Sequence, residues 1–389
     1  MQKAFKYRIY PTPKQEELLS QHFGHCRFVY NWGLNQKLEQ YQQQGKSDSC
    51  IMLINKMTQL KKQEETDWLN DVNAQALQMS LRNLDNAFTR FFREKKGFPK
   101  FKTRRSKQSF QCPQDCSIDF DNQLLAIPKF KGKNQLKVIV SRRFEGKIKT
   151  VTVSRNPSGK YFVSLLVEVP EELQQKPSVR EDRTVGIDLG LKDFATLSTG
   201  EKIENPRHLK KTLSKVKYQH YKLSKTTKGS KRREKARRKL TKIYEKVKNQ
   251  RDDFLHKLSY KLTHDSQVDT ICMEDLNIQG MMRNHKLAQS ISDVSWSKFV
   301  EFLKYKCDWY GKNLFQIGRF EPSSKMCTCG KLNNDLKLSD REWTCQSCGT
   351  SHERDILAAQ NIKRFGLIRL NSVPWESGKH SKTTLVETA

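Results

Sequence analysis

A chain of 389 residues has room for two or three domains at roughly 150 residues each. Its 73 lysines and arginines against 42 aspartates and glutamates give a formal net charge of +31, and a body so unbalanced repels itself unless it binds a polyanion. Nucleic acid is the expected polyanion; an anionic membrane is disfavoured, because no long apolar run or basic amphipathic anchor is present and the opening "MQKAFKYRIYPTPK" lacks the apolar core of a secretory signal.

"KAFKYRIY" alternates, with Phe5, Tyr7 and Ile9 on one face and Lys6, Arg8 and Tyr10 on the other, predicting a half-exposed strand with a basic outer face. A helix then starts in "YPTPKQEELL": Thr12 suits the N-cap, Pro13 the first helical position, and Gln15 the place that completes a capping box. Leu19, Phe23, Cys26 and Tyr30 continue it at helical spacing, and "YQQQGKSDS", Tyr41 to Ser49, reads as a loop. The next helix, "VNAQALQMSLRNLDNAFTRFF", carries an apolar stripe of Leu77, Leu81, Leu84, Phe88 and Phe91, with Gln78, Arg82 and Arg90 on its other positions. "REKKGFPKFKTRRSKQ" interleaves Phe98 and Phe101 with basic residues, Lys102 among them, a composition that suits nucleic acid. From about Ser109 to Val169 short strands and turns follow, and "NPSG" between two β-rich runs reads as a hairpin. The first strand and this group could form one small barrel with the helices inserted, and "PEELQQKPSVRED" is a linker.

"TVGIDLGLKDFATLSTG", Thr184 to Gly200, begins as a buried strand with a carboxylate in it. Val185, Ile187 and Leu189 share one face; Gly186, Asp188 and Gly190 share the other, so Asp188 has open space on both sides. An unpaired ionised carboxylate in a core costs several kcal/mol, so it needs a cation or a set of donors. A strand-end acid bonded to backbone N–H groups and a functional acid both fit. Between Lys210 and Lys261 there are 20 basic against 4 acidic residues, divided by "KGS" at Lys228 to Ser230 into two helices. That excess of one sign favours a surface tracking a phosphate backbone, Arg232 and Arg233 included, over a merely solvated face.

A second buried strand, "DTICMEDLNIQGMMRN", ends in acids: Ile271 and Met273 share one face and Cys272 and Glu274 the other, while Asp275 points away as a rival. "WSKFVEFLKYKCDWYGKNLFQI" is a helix followed by a strand. In "SHERDILAAQNIKRF", Ala358, Ile362 and Phe365 form an inner helix face, and Asp355 lies on the same side in the first turn, where the helix dipole also favours a plain capping acid. Three acids on separate segments suggest a shared Mg²⁺ site, because Mg²⁺ takes a few hard carboxylate ligands and keeps water and phosphate as the rest. Two such ions about 3.5–4 Å apart activate a water and stabilise the leaving oxygen of a phosphodiester. The tail from "SVPWESGKH" onward reads as disordered.

Ten cysteines are spread along the chain and cluster only in "CTCGKLNNDLKLSDREWTCQSCG", which fits intracellular thiols with one metal site. Cys327, Cys329, Cys345 and Cys348 read as four Zn²⁺ ligands, with Gly330 and Gly349 permitting the knuckle turns. The first pair is Cys-x-Cys, one residue short of the usual spacing, so His352 is a rival ligand. Cys112 and Cys116 read as ordinary thiols.

Together "YRIYPTPKQ", "FVYNWGL", "FFREKKGFPKFK", "VGIDLGLKDFATLSTG", "MEDLNIQGM", "PSSKMCTCG", "WTCQSCG" and "HERDILAAQNI" resemble the TnpB family, transposon-encoded RNA-guided nucleases related to type V CRISPR effectors. The resemblance implies an α/β and β-barrel multidomain fold. Its parts would be a wedge-like β-barrel (1–10 and 101–180), an inserted helical recognition domain (11–100), an RNase H-like RuvC nuclease domain (181–320 and 354–371), a zinc ribbon (321–353) and a disordered tail (372–389). It maps the catalytic acids onto Asp188, Glu274 and Asp355, with two Mg²⁺ ions, and implies Zn²⁺ in the ribbon. It further implies a guide RNA from the transposon end, double-stranded DNA cut beside a short protein-read motif, and a cytoplasmic setting in a prokaryotic cell. Gln78 is a candidate reader of that motif, since glutamine pairs with adenine. Glu353 stands where the family usually has Asp, and Leu357 where it usually has Asn. A nuclease-inactive guide-directed regulator, a three-acid transposase and a non-catalytic zinc-ribbon RNA-binding protein are the competing functions.

Overall fold

The computed structural model describes residues 1–170, 174–265, 267–337 and 339–372, so the expected tail lies almost wholly outside the described residues. The chain divides into two compact units, the first formed by residues up to about 170 and the second by those that follow.

In the first unit, β1 (Gln2–Tyr10) buries Phe5, Tyr7 and Ile9 as the alternation requires. α1 (Pro13–Gln44) starts with the expected capping box: Gln15 N–H donates to Thr12 Oγ1 at 3.4 Å and Thr12 N–H to Gln15 Oε1 at 2.9 Å. The helix outruns its expected end. Tyr41 to Gln44 are helical, and the turn comes only at Gly45, which takes φ 67 and caps Tyr41 O. Two contacts in the preceding turns explain the extension: buried Lys37 donates to Asp48 O at 2.7 Å, and Gln40 donates to the Asp48 carboxylate at 2.7 Å. α2 (Cys50–Leu60), which the periodicity did not announce, buries only Leu53 and Met57. α3 (Ala74–Glu94) buries Leu77, Leu81 and Leu84, and its stripe fades at half-buried Phe88 and Phe91.

The strands β2 (Gln108–Cys112), β3 (Ser117–Asp119), β4 (Leu124–Ala126), β5 (Leu136–Ile139), β6 (Lys147–Arg155) and β7 (Tyr161–Glu168) join β1 in a seven-stranded antiparallel sheet. The order is β2-β6-β7-β1-β5-β4-β3, so the first strand of the chain sits in the middle, between β7 and β5. β2 and β3 lie at the ends of this barrel-like ladder. Helices and strands share one core, in which Leu19, Phe23, Leu53 and Leu77 join Phe110, Val138, Val151 and Val163.

The second unit is built on β8 (Thr184–Leu189), β9 (Asp193–Leu197), β10 (Lys202–Glu204), β11 (Thr270–Glu274) and β12 (Asn313–Ile317), in the order β10-β9-β8-β11-β12. β8, β11 and β12 run parallel; β9 is antiparallel to its neighbours. After β10 come α4 (His208–Ser224) and α5 (Lys231–His264), broken where "KGS" predicts, with Ser230 as N-cap of α5. α6 (Ile278–Met281), α7 (His285–Val294) and α8 (Trp296–Trp309) follow β11. β13 (Glu342–Thr344) pairs with β14 (Ser351–Glu353), which runs directly into α9 (Arg354–Ser372).

The two faces of the five-stranded sheet are covered by different elements. Val185, Ile187, Ile271 and Met273 pack with α5, α7 and α8. Cys272, on the opposite face, packs with Ile362 and Phe365 of α9. Two glycines let α9 approach: a Cβ on Gly186 would meet Ala359 O at 2.0 Å, and one on Gly366 would meet Cys272 Sγ at 2.3 Å. The space beside Asp188 thus belongs to the helix that carries Asp355. Among the described residues no helix is long and apolar enough to cross a membrane.

Candidate acid cluster and thiolate site

Asp188 lies near the end of β8, paired with Thr196 of β9, on the face that α9 covers. Glu274 ends the adjacent parallel strand β11, and Asp355 stands in the first turn of α9. Protein encloses the Asp188 carboxyl, although the residue keeps some exposed surface. Burial, then the charge of Glu274, then that of Asp355 push it up to about 7, against the pull of Arg354 and Arg341. Two acids far from Asp188 in sequence therefore lie near enough in space to act on it.

Each of the other two acids has a partner. Ser323 Oγ donates to Glu274 Oε1 at 2.5 Å. Arg341 Nη1 donates to both oxygens of Asp355, at 3.2 and 3.1 Å. The rival Asp275 is exposed and ion-paired with Arg319 at 2.6 Å, so alternation separates the two acids as expected. Glu353 pairs with Lys202, and Leu357 is buried. Asn361 of α9 donates to Ser323 O at 2.7 Å and to Met326 O at 2.6 Å, tying the segment that bonds Glu274 to the helix that carries Asp355. Sequence reasoning missed Ser323, Arg341 and Asn361. Only Asn361 left a signal, as an amide next to Ile362 on an apolar helix face.

Among the described residues, the one group of three or more potential metal ligands within 4.8 Å of one another is Cys327, Cys329, Cys345 and Cys348; the three acids are not drawn that close. Cys327 and Cys348 sulphurs are 3.5 Å apart, and those of Cys329 and Cys345 3.8 Å. Sulphurs about 2.3 Å from a tetrahedral Zn²⁺ are about 3.8 Å from each other, so the four thiols fit that ion despite the short first pair. Gly330 and Gly349 take φ 89 and 72 at the two knuckles. Backbone N–H groups of Cys348 and Ser347 pull the Cys345 thiol down, and Thr350 does the same for Cys348, favouring thiolates at the second pair, while the neighbouring thiols push Cys329 up. His352 is buried with Nε2 3.0 Å from Cys327 Sγ and its ring beside Trp343, so it stands next to the four thiols rather than replacing one.

Of the four nucleic-acid candidates, Gln78 and Lys102 lie in the first unit and Arg232 and Arg233 in the second. Gln78 is half-buried on α3. Lys102 holds its ammonium 3.7 Å from the Tyr30 ring centroid, while its backbone N–H and C=O bond the Asn31 amide. Arg232 is exposed at the start of α5. Arg233 turns back to donate to Leu223 O and Thr226 O, at 3.0 and 2.9 Å, clasping the α4–α5 turn.

Comparison with known proteins agrees with this organisation. The sequence pattern of the OrfB_IS605 family, described as "Probable transposase", matches residues 164–285. A "Helix-turn-helix domain" pattern matches residues 1–46, where the structure has one strand and one long helix, and a "Cas12f1-like, TNB domain" pattern matches residues 296–362. A solved Cas12f1–sgRNA–target DNA complex shares the fold, with a TM-score of 0.56 at 14% identity over 93% of this chain and 98% of that one. InsQ of Escherichia coli (strain K12), described as "Putative RNA-guided DNA endonuclease", is 29% identical over 93% of this chain and 92% of its own. A protein of Streptomyces pristinaespiralis with the same description is 39% identical over 94% of this chain and 90% of its own. With that identity across nearly the full length of both, the chain belongs to the TnpB (OrfB_IS605) family.

Proposed function

We propose that the chain is an RNA-guided DNA endonuclease that hydrolyses phosphodiester bonds with Asp188, Glu274 and Asp355. The observation that supports the site assignment is the placement of the acids: Asp188 in β8 and Glu274 at the end of the neighbouring parallel strand β11, with α9, which carries Asp355 in its first turn, packed on β8 and β11, and the charges of Glu274 and Asp355 add to burial in raising Asp188. The guided reading rests on relatives that match this chain over nine-tenths or more of their own length and whose names state it, and on a charge of +31 that suits an RNA and its heteroduplex with DNA. Base pairing then selects the sequence, and the protein grips backbones and reads a short adjacent motif, with Gln78 as a candidate reader and Arg232 as a candidate backbone contact. DNA as the target puts its work in the cytoplasm of a bacterial cell.

The donor set, three carboxylates with neither thiol nor imidazole, fits Mg²⁺. When bound there, Mg²⁺ ions supply a more acidic water and a sink for charge on the leaving oxygen. The chain's own residues prepare the site. Ser323 fixes one oxygen of Glu274, and Asn361 fixes Ser323. Arg341 holds both oxygens of Asp355. Enclosure of Asp188, with the charges of Glu274 and Asp355, makes its carboxyl hold a proton more readily than an ordinary aspartate, and Asp188 would give up that proton to serve as a cation ligand. The four cysteines would hold Zn²⁺ and with it the fold of the ribbon that bears Arg341. Within the two units we keep the finer division into barrel, helical, nuclease and ribbon parts at the boundaries given above.

The test is to purify the chain with its RNA, sequence that RNA, and present matching duplex DNA with Mg²⁺. The parent is expected to cut, and Asp188→Ala to lose cutting while keeping RNA; undiminished cutting by Asp188→Ala removes Asp188 from the site. The family description "Probable transposase" favours a second reading, strand transfer by the same acids. Joined products from labelled transposon ends would establish it.

A further inference from the structure

Phe320 is 94% exposed, the most exposed large apolar side chain among the described residues. Its loop is braced on every side. Arg319 donates to the Asp275 carboxylate at 2.6 Å and to Asp275 O at 3.2 Å. Glu321 pairs with Arg369 of α9, and its N–H donates to Gly318 O at 3.3 Å. The N–H groups of Lys325 and Met326 both donate to Pro322 O at 3.1 Å. Ser323 reaches Glu274 with its hydroxyl and receives Asn361 on its carbonyl. A bare ring at the tip of a fixed loop is pre-organised for a ligand.

Its position identifies that ligand. Phe320 is three residues from Ser323, at most about 11 Å of extended chain from the residue that orients Glu274. One ring is too small for a protein interface of ordinary size. It does match the face of one base, and only an unpaired base offers a free face beside a phosphate being cut. Guided recognition leaves one DNA strand single. Half-exposed Arg319 precedes Phe320 in the chain and half-exposed Arg369 pairs with Glu321, which follows it, so the loop carries positive charge that suits that strand's phosphates. We infer that Phe320 stacks on an unpaired base of the DNA strand next to the scissile phosphate and so positions that phosphate at Glu274. This rests on the nuclease reading above.

The experiment uses the full chain with its co-purified RNA and a target duplex carrying 2-aminopurine in the displaced strand. In an Asp188→Ala background, which needs no cutting, quenching of 2-aminopurine is expected with Phe320 and with Phe320→Trp, and its loss with Phe320→Ala and Phe320→Leu. In the cutting-competent chain, Phe320→Ala is expected to slow cutting about tenfold at unchanged duplex binding, with Phe320→Trp restoring it. Quenching unchanged in Phe320→Ala, or Phe320→Leu equal to the parent in both measurements, overturns the inference. A parent that never cuts overturns the nuclease reading instead, and the fluorescence still decides the stacking.

Discussion

Burial and two neighbouring carboxylates hold Asp188 up to about 7, and this has a consequence for stability. The unfolded chain releases the same proton near the ordinary aspartate value, about 3.9. Between those values the folded chain holds more protons than the unfolded one, so this group's contribution to stability falls as pH rises through the window and is level above it. Asp188→Asn has no proton to lose. In the presence of chelator, the variant should therefore gain melting temperature over the parent from about pH 4 to about pH 7, with a constant gap above. Calorimetric melts across that range check it, and a gap independent of pH contradicts it. Single residues were legible where periodicity spoke. Alternation separated Glu274 from Asp275, and helical spacing put Asp355 on the inner side of α9. Arg341 and Ser323 were not legible, because each meets its acid through a loop whose path depends on the zinc ribbon or on β12.

At the scale of elements, the site depends on how closely α9 lies on β8. Gly186→Ala would push a methyl into Ala359 O and Lys363 N, at 2.0 and 2.7 Å, both backbone atoms that cannot swing aside. A loss of about 3 kcal/mol or more is expected in denaturant melts, together with loss of cutting although all three acids remain; normal stability and normal cutting would show that α9 does not fix Asp355. The small face of β8 was readable as open space, but not that a helix fills it, since that helix follows some 170 residues later. Among the described residues the ribbon has two three-residue strands, so a metal on its four cysteines is expected to hold its order. Zinc chelation or Cys345→Ser should open the segment from Cys327 to Thr350 to protease while the five-stranded sheet stays folded. Cutting should fall as Arg341 and the Ser323 segment loosen. A ribbon equally resistant with and without metal would contradict this.

Across the whole molecule, charge pointed to nucleic acid and cysteine spacing to zinc, periodicity outlined the strands and helices, and the guided-nuclease reading and the RNase H-like fold came from the resemblance to the TnpB family. The insertion of helices between β1 and its sheet partners was legible, α2 excepted, because "KAFKYRIY" is a strand that needs neighbours. What remained hidden was cooperation: helices and sheet of the first unit share one core, and the ribbon, α9 and β11 are joined through Asn361, Ser323 and Glu274. The central claim is that three carboxylates from β8, β11 and α9 hold divalent ions against a DNA phosphate. Anomalous scattering from Mn²⁺ in a crystal of the chain with its RNA and target DNA tests it most directly. Manganese peaks bonded to oxygens of Asp188, Glu274 and Asp355, with Arg341 released from Asp355, are the predicted result. Peaks bound by other acids, or none at these three, would contradict the account.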